Sequence, residues 1–418
     1  MSQTNLTATA TVTVTATGAT RLGTPPVTPA SPPRSALQIL IIAVAAFVIV
    51  TTEYLIIGLL PALARDFDIS VAAAGQLVTL FAFTVMLCGP FLTAKLSHLD
   101  RKKLFTFILV VFAASNVLAA LAPNIGVLAL ARFIPALMLP VFWGTASETA
   151  GQLAPSGQAG KAVSQIYLGI SAALVFGIPL GTLAADTMGW RATFWILAGL
   201  SAMLAVLIQA LMHRLPPPVR HRGAGQTQIL RNPRFLAHVA LSTLAFTAMF
   251  TAYTYLTDML ERLAGVPDQY VGWWLMGFGV FGMVGNYLGG RMVDRSPLGS
   301  TIVFLLLLAG AMVAAVPAAR HTVWLVAALI VWGVSYTALF PICQVRVMQA
   351  GAQAKALAGT MNVSAANAGT GLGAIFGGLG IQHYGLSSLG VIAAAMAVLA
   401  AGVAWAMRGM QEKSHVSG

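Results

Sequence analysis

The chain has 418 residues, 58% hydrophobic and 8% charged, with 23 Lys and Arg against 11 Asp and Glu for a net charge of +12. A soluble domain carries roughly a quarter charged residues, so this composition excludes an ordinary soluble globule. Apolar runs of about 20 residues recur along nearly the whole length and read as bilayer-spanning helices, while the alternating short strands of a membrane barrel are missing.

Residues 1–34 are rich in Thr, Ala and Pro, hold no apolar signal-peptide core, and read as a disordered cytoplasmic tail. Six spans are expected next, near 37–60, 71–95, 103–122, 125–150, 159–186 and 191–213, forming an N-terminal bundle over 35–213. The stretch HRLPPPVRHRGAGQTQILRNPR (His213–Arg234) is polar and rich in Pro and Arg, and its 214–234 portion reads as a linker. Six further spans near 235–260, 269–292, 300–319, 322–348, 354–382 and 386–408 form a C-terminal bundle over 235–410, followed by a tail at 411–418. The fold class is therefore an all-α integral membrane protein, with twelve transmembrane helices in two six-helix, pseudo-symmetric halves.

Basic residues set the orientation. With a cytoplasmic N-terminus, Arg65, Arg191, Arg262 and Arg320 fall outside, Arg132 lies within a span, and the remaining 18 of the 23 Lys and Arg face the cytoplasm. The high net charge is thus explained by topology, and no nucleic-acid partner is needed. Cys88 and Cys343 lie inside apolar runs without metal-ligand spacing, so no metal or other cofactor is expected. His98, His213, His221, His238, His321, His383 and His415 fall in loops, tails or near span ends, and no Gly-Lys-Ser/Thr phosphate loop occurs. Neither an intramembrane enzyme nor an ATP-driven pump is indicated.

Two charges sit inside spans. Glu53, in TTEYLIIGLLP (Thr51–Pro61), lies eight residues before Pro61, and Arg132 lies eight after Asn124. Both are about 12 Å from the outer end of their helices at 1.5 Å per residue. A lone membrane charge costs ~3 kcal/mol or more, so the two are expected to meet. One reading is a permanent structural ion pair. The other is a proton-coupling site, since apolar surroundings favour the neutral acid and a nearby guanidinium favours the carboxylate. Glu148 reads as a solvated or gating charge at the cytoplasmic end of span four; Asp258 and Glu261 read as wet residues at the outer end of span seven.

The halves echo each other about 195 residues apart: KLSHLDRKKLF (Lys95–Phe105) against GGRMVDRSPLG (Gly289–Gly299), and GQAGKAV (Gly157–Val163) against AQAKALA (Ala352–Ala358). Parallel repeats with a site between them at mid-membrane are a transporter layout. In GISAALVFGIPLG (Gly169–Gly181), Gly169, Ala173, Gly177 and Gly181 share one helix face, suited to close approach of another helix, and Pro179 marks a kink.

Together these stretches resemble the major facilitator superfamily, in its drug:proton antiporter branch, over residues 36–410. TEYLIIGLLPALARDFDIS, RFIPALMLPVFWG and FTAYTYL look like the bacterial sugar efflux subgroup, which includes arabinose and thiogalactoside exporters. The resemblance implies gating roles for Asp294 and Arg295 and for the span-five residues Gly177, Pro179 and Gly181. The N-terminal copy of the loop departs from the pattern, with Ser97 near where the Asp is expected. It also implies that spans one, four, seven and ten line a cavity. The polar and aromatic residues there are Thr52 and Tyr54; Phe142, Trp143 and Ser147; Gln165 from span five; Thr251, Tyr253 and Tyr255; Tyr336 and Gln344; and Asn362 from span eleven. Neutral donors beside aromatic faces suit sugars. For each, helix packing is the competing reading. The expected function is export of small sugars or similar polar metabolites by proton antiport with alternating access. The alternative is a multidrug proton antiporter on the same scaffold. The partners are a small-molecule substrate, protons and the lipid bilayer, and the setting is a monomer in a bacterial inner membrane with both termini cytoplasmic.

Overall fold

The computed structural model describes residues 32–69, 71–213, 215 and 228–416. Most of the expected N-terminal tail and linker lie outside the described residues. Where they are described they differ from expectation: the first helix starts at Pro32, and helical structure continues through 411–416.

The N-terminal half comprises α1 (Pro32–Asp66), α2 (Val71–Leu96), α3 (Arg101–Ala120) and α4 (Ile125–Leu153). It ends with α5, built from Ala159–Ala172, a π-helical turn Ala173–Gly177 and Ile178–Met188, and α6 (Trp190–Leu211). The C-terminal half comprises α7, whose main part Pro233–Tyr253 breaks and continues to Leu263, then α8 (Asp268–Val293) and α9 (Pro297–Ala318). It closes with α10 (Thr322–Ala350), α11 (Lys355–Tyr384) and α12 (Leu389–Val416). Ten of these helices are long and apolar enough by themselves to cross a membrane; α8 and α11 are not among them. Both carry Gly and polar residues on faces that meet protein, α8 on α5 and α11 on α2 and α4, while Val280 and Val284 of α8 and Ile375 and Leu379 of α11 are exposed.

Within each half short turns join six successive helices, so the two ends of each half lie on one side, here called the terminus side. Gln38 near the start of α1 accordingly meets His213 beyond α6. Polar caps define the helix starts: Asp100 accepts from the Lys103 N–H, Asn124 from Val127, Asn232 from Arg234 and Ser296 from Gly299. Each satisfies an N–H that the first helical turn leaves unpaired.

The repeat read from the sequence is visible helix by helix. The helices α2 and α8 are both 26 residues long and begin at 71 and 268; α4 and α10 are both 29 residues long and begin at 125 and 322. Even the turns ending α5 and α11 match, with Gly189 at φ +84° and Gly385 at φ +81°, where a side chain would be strained.

The small-residue face of α5 is where α1 docks. A Cβ on Gly169 would fall 2.5 Å from the Ala43 carbonyl oxygen and 2.9 Å from the Phe47 nitrogen; Gly177 faces Thr51 and Gly181 faces Leu55. Next to the expected kink the helix takes a π-helical turn, which ends two residues before Pro179; the side chain of Pro179 lies outside the described set.

Replacing Gly169 by Leu should destabilise the protein by about 1–3 kcal/mol, the usual cost of overpacking. Gly199→Leu, where the added side chain meets open space, should be close to neutral. Thermal unfolding of the two variants in detergent checks this contrast.

Candidate functional site

The helical phase of α1 decides where Glu53 points. Leu37, Leu40 and Val44 form its exposed stripe. Glu53 lies nine residues beyond Val44, and at about 100° per residue it sits on the opposite side of the helix. The acid is half-buried among helices and does not face lipid.

Arg132 is brought to the same depth, as expected, but its contacts correct the simple ion-pair reading. Its guanidinium donates to the Thr52 carbonyl at 2.6 Å and to the Glu53 carbonyl at 2.8 Å, and lies 4.6 Å from the centroid of the Phe81 ring. No salt bridge joins it to the Glu53 carboxylate. The reason is geometric. A planar fork can satisfy two consecutive carbonyls on a neighbouring helix, and cation–ring contact adds to that arrangement. The Glu53 carboxylate feels the positive charge nearby without being held by it.

Beside Glu53, Tyr54 reaches into the electrostatic field of Tyr253 and Tyr336 from the other half. Tyr253 and Tyr336 stack with centroids 4.6 Å apart. From there rings continue toward the terminus side: Tyr336 to Phe340, Phe340 to Tyr167, and Tyr167 to Trp143 at 4.8 Å. Tyr336, Phe340 and Gln344 follow one another at four-residue spacing on one face of α10. Phe340 was not singled out from the sequence, although that spacing marks it.

Below the rings the halves are joined by a neutral network. The Asn362 side-chain amide donates to Gln344 Oε1 at 2.8 Å, and Gln344 Nε2 donates to Ser147 Oγ at 3.0 Å. Asn362 Oδ1 is buried without a partner. Thr360 Oγ1 lies 2.8 Å from Thr93 Oγ1 and 2.9 Å from the Pro140 carbonyl, and Asn286 donates to Ser171 Oγ at 2.7 Å. These bonds gather from mid-depth to the terminus side. There Asp294 accepts from the N–H groups of Gly160 and Lys161 at the start of α5, at 2.6 and 3.1 Å.

Several expected cavity residues sit elsewhere. Thr52 bonds to the Val48 carbonyl and faces Asn116 of α3. Phe142 packs edge-on against Phe105 inside the N-terminal half. Gln165 is exposed, on the α5 face that carries Phe176 and Leu180. Thr251 bonds to the Thr247 carbonyl and to Met396 Sδ of α12, and the Tyr255 hydroxyl donates to the Ala374 carbonyl of α11. Helical period shows that a residue is polar and recurrent, not which neighbour its face meets. The Arg295 side chain is exposed and makes no recorded hydrogen bond or ion pair among the described residues, unlike that of Asp294. Glu148 is not a free solvated charge: it pairs with Arg101, whose side chain is 2% exposed. Arg346, counted among cytoplasmic charges, is buried in α10 and donates to Ser242 Oγ, Thr301 Oγ1 and the His238 carbonyl. Among the described residues no group of three His, Cys, Asp or Glu could hold a metal ion.

A family model described as Major Facilitator Superfamily matches residues 42–365. The chain is 34% identical to the inner membrane transport protein YdhP of Escherichia coli K12, over 86% of this chain and 94% of that protein. It is 29% identical to a probable sugar efflux transporter of Helicobacter acinonychis, over 87% and 93%. Its fold superimposes on the E. coli fucose:proton symporter FucP in the outward conformation with a TM-score of 0.71 at 17% identity, covering 90% of this chain and 99% of that one.

Arg132→Met leaves two carbonyls of α1 without their donor and should cost about 1–3 kcal/mol. Glu53→Gln removes a carboxylate with no recorded hydrogen bond or ion pair among the described residues and should leave stability nearly unchanged. Equal losses for the two, read by thermal unfolding, would restore the structural ion pair.

Proposed function

Because the chain belongs to the Major Facilitator Superfamily and is a transporter rather than an enzyme, we propose that it exports small sugars or similar polar metabolites in exchange for protons. The observation that carries this reading is Glu53. It is the acid inside α1, turned away from lipid, near a guanidinium that is committed to carbonyls and so does not clamp it. Such a carboxyl can release a proton when water reaches it and regain one when water leaves, because hydration favours the charged form and burial the neutral one. Arg132 holds the segment of α1 that carries the acid.

Substrate class is argued from the seam. Ser147, Gln344 and Asn362 offer neutral donors and acceptors, and Trp143, Tyr167 and Tyr336 offer ring faces, the pairing that suits hydroxyl-rich rings. The relatives described as probable sugar efflux transporters point the same way. Export follows the resemblance of the α5 motif to antiporters. We place the protein as a monomer in a bacterial inner membrane with the terminus side cytoplasmic. Contacts between the halves gather on that side, consistent with a state whose opposite side admits solvent.

One feature favours a second reading. The Tyr253–Tyr336 stack beside Glu53 also suits an organic cation, which rings and a carboxylate attract together. A binding screen of purified protein against pentoses, galactosides and cationic dyes separates the two: sugar export predicts saturable binding of a sugar that dyes do not displace.

In everted vesicles, substrate flux should collapse on addition of a protonophore, and Glu53→Gln should abolish coupled flux while folded protein remains in the membrane. Normal export by the Gln variant would move the proton site elsewhere.

A further inference from the structure

The seam between α5 and α8 joins the two halves, and close contacts fix its register. A Cβ on Gly160 would fall 2.6 Å from the Gly290 carbonyl oxygen, and one on Gly279 would fall 2.7 Å from Val175 Cγ2. The two helices are therefore antiparallel, with the start of α5 level with the end of α8. On each helix, the residue after a seam contact lies about 100° further round. On α8 that residue is Arg291, after Gly290; on α5 it is Lys161, after Gly160. In an antiparallel pair these rotations bring both to the same side of the seam, and both are exposed. That side is the membrane face, since Val280 and Val284 of α8 and Phe176 of α5 are exposed along it.

The face is graded in polarity. Away from the terminus side it is apolar; at the terminus side Gln165, Tyr287, Arg291 and Lys161 are exposed. Arg291 donates to the Tyr287 hydroxyl at 2.7 Å, and its guanidinium lies 5.4 Å from the centroid of that ring. One donor of the fork is thus used to orient it, and the others are left for a ligand. No recorded ion pair among the described residues includes Lys161, Arg291 or Arg295. The neighbouring acid, Asp294, already accepts from the N–H groups of Gly160 and Lys161. The other half shows that the fold does not require this polar group. Counting from the helix starts at Val71 and Asp268, α2 has Pro90 and Ala94 where α8 has Tyr287 and Arg291. It nonetheless keeps the exposed apolar stripe, as Phe83 and Leu87.

We propose that this face binds the phosphate headgroup of an anionic phospholipid from the leaflet on the terminus side. Arg291 is the principal donor, oriented by Tyr287, and Lys161 and Arg295 complete the positive surround. One acyl chain lies along Val280 and Val284. A guanidinium fork matches the oxygens of a phosphate, and basic groups near the ends of membrane helices attract anionic headgroups. Lys161 belongs to the N-terminal half and Arg291 to the C-terminal half, so the lipid spans the seam. The inference needs no substrate and no coupling ion, and stands apart from the proposed export.

Native mass spectrometry of the full chain, released from detergent with added phosphatidylglycerol or phosphatidylcholine, tests it. Phosphatidylglycerol should be retained and phosphatidylcholine should not displace it. Arg291→Gln should lower retention about tenfold or more, the loss expected for hydrogen bonds to a charged group. Tyr287→Phe keeps every charge and should lower it roughly fivefold through the freed guanidinium. Lys95→Gln removes an exposed cation from the end of α2 and should change retention little. Equal retention of the two lipids overturns the proposal. So does a loss on Lys95→Gln as large as that on Arg291→Gln, which would mean diffuse rim charge. Displacement of phosphatidylglycerol by inorganic phosphate overturns it as well, because the site would then take a free anion.

Discussion

A guanidinium inside a bilayer needs acceptors, and in this chain Arg132 finds them in the main chain of α1 rather than in the acid of equal depth. Much else follows from that choice. Carbonyls within a helix already accept one hydrogen bond each and keep a lone pair free, so α1 can receive the fork without unwinding. The clamp fixes α1 to α4 in the half-turn that presents Tyr54 to the other half. It also leaves the Glu53 carboxylate uncommitted. Had the ion pair formed, protonating the acid would have stranded a buried cation, at a cost of several kcal/mol. With the Arg132 fork held by two carbonyls, the acid's charge can change without dismantling the helix contact.

The same separation of duties holds between the halves. Helices touch through small residues both within a half, as α5 does on α1, and between the halves, as Gly160 does on Gly290 and Gly144 on Gly359. Between the halves, the deep contacts are neutral hydrogen bonds among Ser147, Gln344, Asn362, Thr93 and Thr360. The Asp294 carboxylate meets the start of α5 at the terminus-side rim, where water can replace it. At the seam it is the polar contacts, rather than the small-residue ones, that can be exchanged for other partners. Packed backbones resist rearrangement, whereas an amide–hydroxyl bond contributes only about 1 kcal/mol net once a substitute partner is at hand.

How much of this was legible beforehand depended on what helical periodicity encodes. Spans, their number and their repetition follow from hydropathy and spacing, and the Gly169–Gly181 face was readable as a docking surface because four-residue spacing of small side chains has one meaning. Depth was readable too, so Glu53 and Arg132 could be set level. Direction around the helix was not. Thr251 and Gln165 are polar residues of the right spans, yet one faces α12 and the other the outer surface, because a helix in a two-layer bundle meets several neighbours. Nor does a sequence say whether a guanidinium will select a carboxylate or two carbonyls. Arg346 was misplaced for a related reason: a basic residue four positions from a helix end looks like a loop charge, and only the convergence of Ser242, Thr301 and the His238 carbonyl shows that it is an internal tie.

The α10 face ties these observations together. Tyr336, Phe340 and Gln344 run along it from the tyrosine stack by Glu53 down to the amide network that joins the halves. Any molecule lying against this face would touch rings at one end and compete for the Gln344 amide at the other. The partners Gln344 now has, Ser147 and Asn362, sit on different halves, so losing them weakens the seam directly. Asn362 already carries a buried oxygen without a partner, and a hydroxyl-rich ligand or water entering from the aromatic side could supply one. Were a ligand to take the Gln344 amide, its binding and opening would be linked through hydrogen bonds that cannot all be made at once. That competition would couple the two without a long-range pathway, because one side chain would serve both.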